Sequence, residues 1–124
     1  MDGKLFFRLL LWHRLSFLPD FLQLYNYNII MECIQFEWDE NKNHINQNKH
    51  NISFEEAKTV FYDDEALVID APDHSEAEER FIILGLSNKA NLLIVCHCYR
   101  ASDTVIRIIS ARRATKTESK FYRK

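Results

Sequence analysis

Apolar and polar positions change rhythm several times along this chain. Residues 33–38 (CIQFEW) alternate weakly and predict a short first strand. Asp39 is a good N-cap for a polar helix over residues 40–49. That helix has little apolar surface of its own, chiefly Ile45, and Phe36, Trp38 and Ile52 are expected to hold its ends. Ser53-Phe-Glu-Glu reads as a capping box, in which the Ser53 hydroxyl and the Glu56 carboxylate satisfy each other's backbone N–H. The helix it opens runs to about Tyr62, with Phe54, Ala57, Val60 and Phe61 on one face as core.

The rhythm then becomes that of strands. Residues 66–69, 81–86, 92–99 and 104–110 are apolar or β-branched runs, separated by the polar loop at 72–75 and the turns at 88–91 and 100–103. Strands joined by such short connections are antiparallel neighbours, so residues 66–110 predict a four-stranded meander. Thr115-Lys-Thr-Glu118 is a second capping box, opening a short basic helix that carries Phe121 and Tyr122. The expected fold is α+β: an antiparallel meander sheet packed by N-terminal helices, with a short C-terminal helix. Helices mostly on one sheet face leave the other face for a site or a partner.

Residues 1–30 do not share this design. They are rich in Leu, Phe, Trp and Tyr, with a break at Pro19-Asp20. Arg8, His13 and Arg14 interrupt the apolar run, whereas a membrane span needs about 20 mostly apolar residues. No clean signal-peptide core or small-residue cleavage site stands out, so stable membrane insertion is not expected. Three explanations stay open: a translated upstream region with Met31 the true start, an amphipathic helix on a membrane or partner, or an extra helix packed on the domain. The first is preferred, because a self-contained domain spanning 31–124 begins immediately after Met31.

Composition adds little to the fold and more to the chemistry. With 124 residues, 47% hydrophobic and 27% charged, the chain suits one packed domain. A formal charge of −2 gives no global pull on nucleic acid, but the charge is unevenly spread. Residues 63–79 hold eight acids and no Lys or Arg; residues 112–124 hold six bases and one acid, Glu118. This is either a local cationic footprint or two solvated faces. Three cysteines (Cys33, Cys96, Cys98) without framework spacing argue against a disulfide-built secreted domain, and a cytoplasmic protein is expected. In a strand, Cys96 and Cys98 point one way and His97 the other, so the three cannot hold one metal ion.

The chemistry centres on residues 104–114 (TVIRIISARRA). Arg107 in an apolar strand must reach water, a carboxylate or a phosphate. Arg107, Arg112 and Arg113 near one strand end either form an anion site or are paired and solvated. Lys49 and His50 either close their helix, where the macrodipole favours cations, or line an RNA site. His97 reads as a satisfied core histidine; His50 and His74 are the more accessible ones. Arg80 most simply pairs with Glu78 or Glu79. No Gly-rich phosphate loop, serine nucleophile motif or pair of metal carboxylates stands out, and no cofactor is expected. The remaining Lys, His, Arg, Glu and Tyr suit metal-free phosphodiester cleavage, though spacing assigns no acid or base.

Six stretches together resemble a family. Phe36-Glu-Trp-Asp, Asn48-Lys-His, Ser53-Phe-Glu-Glu-Ala, Asp73-His-Ser, Glu78-Glu-Arg-Phe and Arg107-Ile-Ile-Ser-Ala-Arg-Arg-Ala resemble the BrnT toxins in order and spacing, over roughly residues 32–123. The resemblance implies a RelE/ParE-like α+β fold and a type II toxin, an RNA endonuclease that inhibits translation. It also implies a cognate BrnA-like ribbon-helix-helix antitoxin, which neutralises the toxin and with it represses the shared operon, so that operator DNA is met through the antitoxin. Implied catalytic residues are Lys49, His50, Glu79, Arg80, Arg107, Arg112 and Arg113. Lys116, Lys120 and Tyr122 are the expected RNA-binding residues of the basic C-terminal segment. Residues 1–30 have no counterpart in the family pattern. The alternative reading is a catalytically inactive partner subunit of a DNA-binding antitoxin complex.

Overall fold

A computed structural model describes residues 34–70, 79–100 and 104–122. The extension at 1–30, Cys33, and the loop carrying His74 and Glu78 lie outside the described residues. The order of elements is β1 (Gln35–Glu37), α1 (Glu40–His50), α2 (Phe54–Lys58), a 3-10 turn (Thr59–Tyr62), β2 (Leu67–Asp70), β3 (Phe81–Leu86), β4 (Leu92–Arg100), β5 (Val105–Arg113) and α3 (Lys116–Ser119). The sheet order is β1-β5-β4-β3-β2. Strands β2 to β5 form the expected antiparallel meander. Strand β1 adds a parallel edge, with Gln35, Phe36 and Glu37 opposite Val105, Ile106 and Arg107.

Local chemistry starts and stops the helices. Asp39 Oδ1 accepts from the Asn41 and Lys42 N–H groups, and Asn51 ends α1 in the left-handed region at φ 58°. Thr115 and Glu118 complete their capping box around α3. The box at Ser53 is only half formed. Ser53 Oγ accepts from the Glu56 N–H, but the buried Glu56 carboxylate turns away. It accepts from Ser87 Oγ and Asn91 Nδ2, both at 2.7 Å, and so ties α2 to the β3–β4 turn. Two buried partners outcompete one exposed local N–H.

One sheet face packs on α1, α2 and the 3-10 turn. Ile52, Phe54, Ala57 and Val60 meet Val68, Ile83, Leu93, Val95, Ile108 and Ala111. Each fully buried large side chain contributes about 1.5–3 kcal/mol of hydrophobic stabilisation. Gly85 is required by this approach: a Cβ there would lie 2.7 Å from Val60 Cγ1 and 3.0 Å from Ala66 Cβ.

Helix α1 joins the core by polar contacts rather than by Ile45, which is 63% exposed. Asn43 Oδ1 accepts from the Phe54 N–H at 2.9 Å. Asn46 does more. Strand β1 pairs with β5 only as far as Arg107, and Ala111 turns its N–H and C=O away from β4. Asn46 accepts from that N–H at 3.1 Å and donates at 2.8 Å to both the Ala111 and Ile52 carbonyls. Its carboxamide stands in for the missing peptide of a neighbouring strand. No described helix is long and apolar enough to cross a membrane.

Candidate nucleic-acid interface

Strand alternation and the register sort the charged residues by face. The inner face carries Phe36, Ile106, Tyr99, His97, Phe81, Val95 and Ala111. The outer face carries Glu37, Arg107, Cys98, Cys96, Ile82 and Ile94. A bulge in β5 opposite Cys96 and His97 resets its alternation, so Arg112 lies outward while Arg113 turns toward α1.

The expected site residues therefore separate into groups. Arg107, near the start of β5, contacts Glu37 Oε1 at 3.4 Å through Nη1. Glu79 and the half-buried Arg80 directly precede β3. Extending the Phe81–His97 pairing by one residue sets Arg80 level with Cys98, itself opposite Arg107. In that continued register Arg80 and Arg107 would flank Cys98, with backbones two strand spacings, about 10 Å, apart.

At the other end of β5, roughly 15 Å away along the strand, the chemistry differs. Arg112 holds Glu118 by a bidentate pair at 2.8 and 2.9 Å. The Arg112 bond pulls the Glu118 carboxyl down to about 2, and Glu118 in turn raises the guanidinium. That fork is filled by an internal carboxylate. Arg107 and Arg112 are too far apart to grip one phosphate. Arg113 donates to the His50 carbonyl at 3.4 Å, which places Arg113, His50 and Lys49 together at the C-terminal turn of α1. Lys116 and Lys120 are exposed. Tyr122, expected to bind RNA, donates its hydroxyl to Asp63 Oδ2 and pins the C-terminal segment.

His97 is fully buried against the rings of Phe61, Phe81 and Tyr99. Burial pushes it down to about 4, despite the Val95 carbonyl, which favours the charged form. A carbonyl only accepts, so Nδ1 carries the proton and Nε2 faces the Tyr99 hydroxyl at 3.3 Å. The ring is neutral and structural. Among the described residues, no group of three His, Cys, Asp or Glu could hold a metal ion.

Sequence reasoning missed Arg100, Glu37 and Asp63. Arg100 ends β4, two residues beyond Cys98, and contacts Glu37 Oε1 at 3.5 Å through Nε. Continuing the strand's alternation by one residue would have put it on the face of Arg107. Glu37 had no local signal, because its partner lies seventy positions away.

These features define a small α+β domain with one helix-covered face and one arginine-bearing face. A solved structure with the same fold is the ribonuclease toxin BrnT of Brucella abortus, at 24% identity and a TM-score of 0.52, covering 67% of this chain and 99% of that one. The family model for the ribonuclease toxin BrnT of type II toxin-antitoxin systems matches residues 38–118, and the chain belongs to this family. No curated protein matches it at a significant level.

Proposed function

We propose that this toxin is a RelE/ParE-like endoribonuclease that cleaves RNA without a metal, and so arrests translation until a BrnA-like antitoxin neutralises it. Family membership supports a ribonuclease toxin with an antitoxin partner. The site reading is supported by Arg107 on the outer sheet face opposite Cys98, with Glu79 and Arg80 in the segment that directly precedes β3. Cleavage by the 2′-hydroxyl requires that a proton leave that oxygen, that one reach the 5′-oxygen, and that the crowded phosphate be neutralised. Arg80 and Arg107 serve the last role, and Glu79 is the nearest carboxylate in sequence for the first. The basic residues Lys49, His50, Arg113, Lys116 and Lys120 hold neighbouring phosphates or the antitoxin. The ribbon-helix-helix antitoxin supplies the contact to operator DNA.

The test is RNA integrity over time with purified toxin, with and without EDTA, and with antitoxin added. Cleavage that persists in EDTA and stops with antitoxin is the expected result. Loss of cleavage in EDTA with recovery on adding a divalent ion rejects the metal-free mechanism. Intact RNA under every condition favours the inactive-subunit alternative.

A further inference from the structure

Strand β1 stops pairing with β5 at Arg107, and α1 continues along the edge of β5 that lies beyond β1. Asn46 meets Ala111 and the His50 carbonyl meets Arg113, so the helix runs in the same direction as β5. Asn46 faces β5, whereas Asn43, bonded to the Phe54 N–H, faces α2. An α-helix turns about 100° per residue. Lys42 and Lys49 therefore lie about 40° and 60° from Asn46, on the side away from Asn43. They make a row about 10 Å long on the β5 flank of the helix. Lys42 stands toward the Arg107 end of β5, and Lys49 stands beside Arg113.

Both lysines are exposed. Among the described residues neither forms an ion pair. The acids of this helix sit at its start and are engaged there. Asp39 Oδ1 accepts from the Asn41 and Lys42 N–H groups. The Glu40 carboxylate accepts from Asn43 Nδ2 at 2.7 Å and Trp38 Nε1 at 3.0 Å. Ile45 lies between the lysines at 63% exposure, with the exposed, uncharged Asn41 and Asn48 beside it. Because Asn43 and Asn46 attach the helix, this face carries no packing duty.

We infer that the β5 flank of α1 is a track for single-stranded RNA, with Lys42 and Lys49 on its phosphates and Ile45 against a base or ribose. The track joins the two groups of basic residues that the length of β5 keeps apart: Arg107 at one end, and Lys49, His50 and Arg113 at the other. A phosphate chain presents regularly spaced charges to cations spaced along an edge. A docking protein helix needs an apolar stripe, and α1 offers a single exposed apolar side chain. This rests on the reading of the protein as an RNA-cleaving toxin, and it adds Lys42 and Ile45 as RNA-binding residues.

The experiment measures binding of full-length protein to a fluorescent 2′-O-methyl oligouridylate, which lacks the attacking hydroxyl and stays intact. Affinity is read over a series of salt concentrations for wild type, Lys42→Ala, Lys42→Arg, Ile45→Ala and Arg107→Ala. Melting temperature is read on each preparation. Alanine suits an exposed helical position, so Lys42→Ala and Ile45→Ala should melt near wild type. Lys42→Gln replaces Lys42→Ala if the latter melts early. Lys42→Ala is expected to weaken binding about threefold or more. It should also lower the slope of log affinity against log salt by about 0.7, the value of one phosphate contact on a single strand. Lys42→Arg keeps the charge and should keep the slope. Ile45→Ala should lose affinity at an unchanged slope, because an apolar contact releases no counter-ion. Wild-type binding in Ile45→Ala would take the apolar contact out of the track. Wild-type affinity and slope in Lys42→Ala, with a loss in Arg107→Ala, would overturn the track and leave the proposed function standing. Unchanged RNA binding in Lys42→Ala with weakened antitoxin binding would overturn it as well, and give the flank to the antitoxin. Wild-type protein that binds no RNA at any salt concentration would reject the track and the proposed function together.

Discussion

His97 holds a neutral ring where an ionised one has no solvent. The ring titrates near 6.5 in an unfolded chain and at about 4 in the fold. Between those values the unfolded chain takes up a proton that the folded chain refuses. Stability attributable to this residue is therefore full above pH 6.5 and falls as the pH drops toward 4. The total loss is about 3 kcal/mol. Urea melts of wild type and His97→Gln over this range should show a steeper decline in wild type. Equal slopes would mean the ring is not the source. Glu118 works in a lower window: its carboxyl is depressed by Arg112, so its contribution is present above the ordinary carboxylate range and fades only as the pH falls toward 2. Both partners are partly exposed, so that contribution is about 1 kcal/mol or less.

Among the elements, the meander and the capping residues were legible because their signals are local. Alternating runs at 81–86 and 92–99 and the turn between them predicted β3 and β4, and Thr115 predicted the start of α3. The attachment of α1 was not legible. Hydrophobic periodicity looks for an apolar stripe, and this helix buries Asn43 and Asn46 instead. The parallel pairing of β1 with β5 was hidden for a related reason, since nothing within residues 33–38 names a partner seventy positions on. The same gap separated the arginines: the sequence placed Arg107, Arg112 and Arg113 near one another, but the β5 bulge and the length of the strand set them at two ends and on two faces. Asn46→Ala should cost about 3 kcal/mol, because it strips the Ala111 N–H and two carbonyls of their buried partner. Ile45→Ala, on the exposed side of the same helix, should change stability by less than about 0.5 kcal/mol. Denaturation midpoints compare the two, and an equal effect would refute the polar anchoring of α1.

At the scale of the molecule, the family match over residues 38–118 accounts for the helices, the meander and most of α3. We propose that residues 31–124 are sufficient for the toxin, with Met31 as the start. Protein trimmed to 31–124 should give the same far-ultraviolet circular dichroism per folded residue, cleave RNA, and be inhibited by antitoxin. A trimmed chain that is unfolded while the full chain is folded would contradict this. We propose that charge complementarity at Lys116 and Lys120 speeds association with the antitoxin, and that apolar anchors on the outer face hold it.

The proposed function requires that the outer-face arginine act on phosphate rather than on the fold. The most direct measurement is the RNA cleavage rate of Arg107→Ala, taken with its melting temperature, beside Arg112→Ala as the structural comparison. Arg107 makes one long contact, so its loss should leave the melting temperature near wild type and lower cleavage on the order of 10²-fold or more. Arg112 closes a short bidentate pair that fixes α3, so its loss should lower stability and activity together. Arg107→Ala protein that melts normally and cleaves RNA at the wild-type rate would contradict the account.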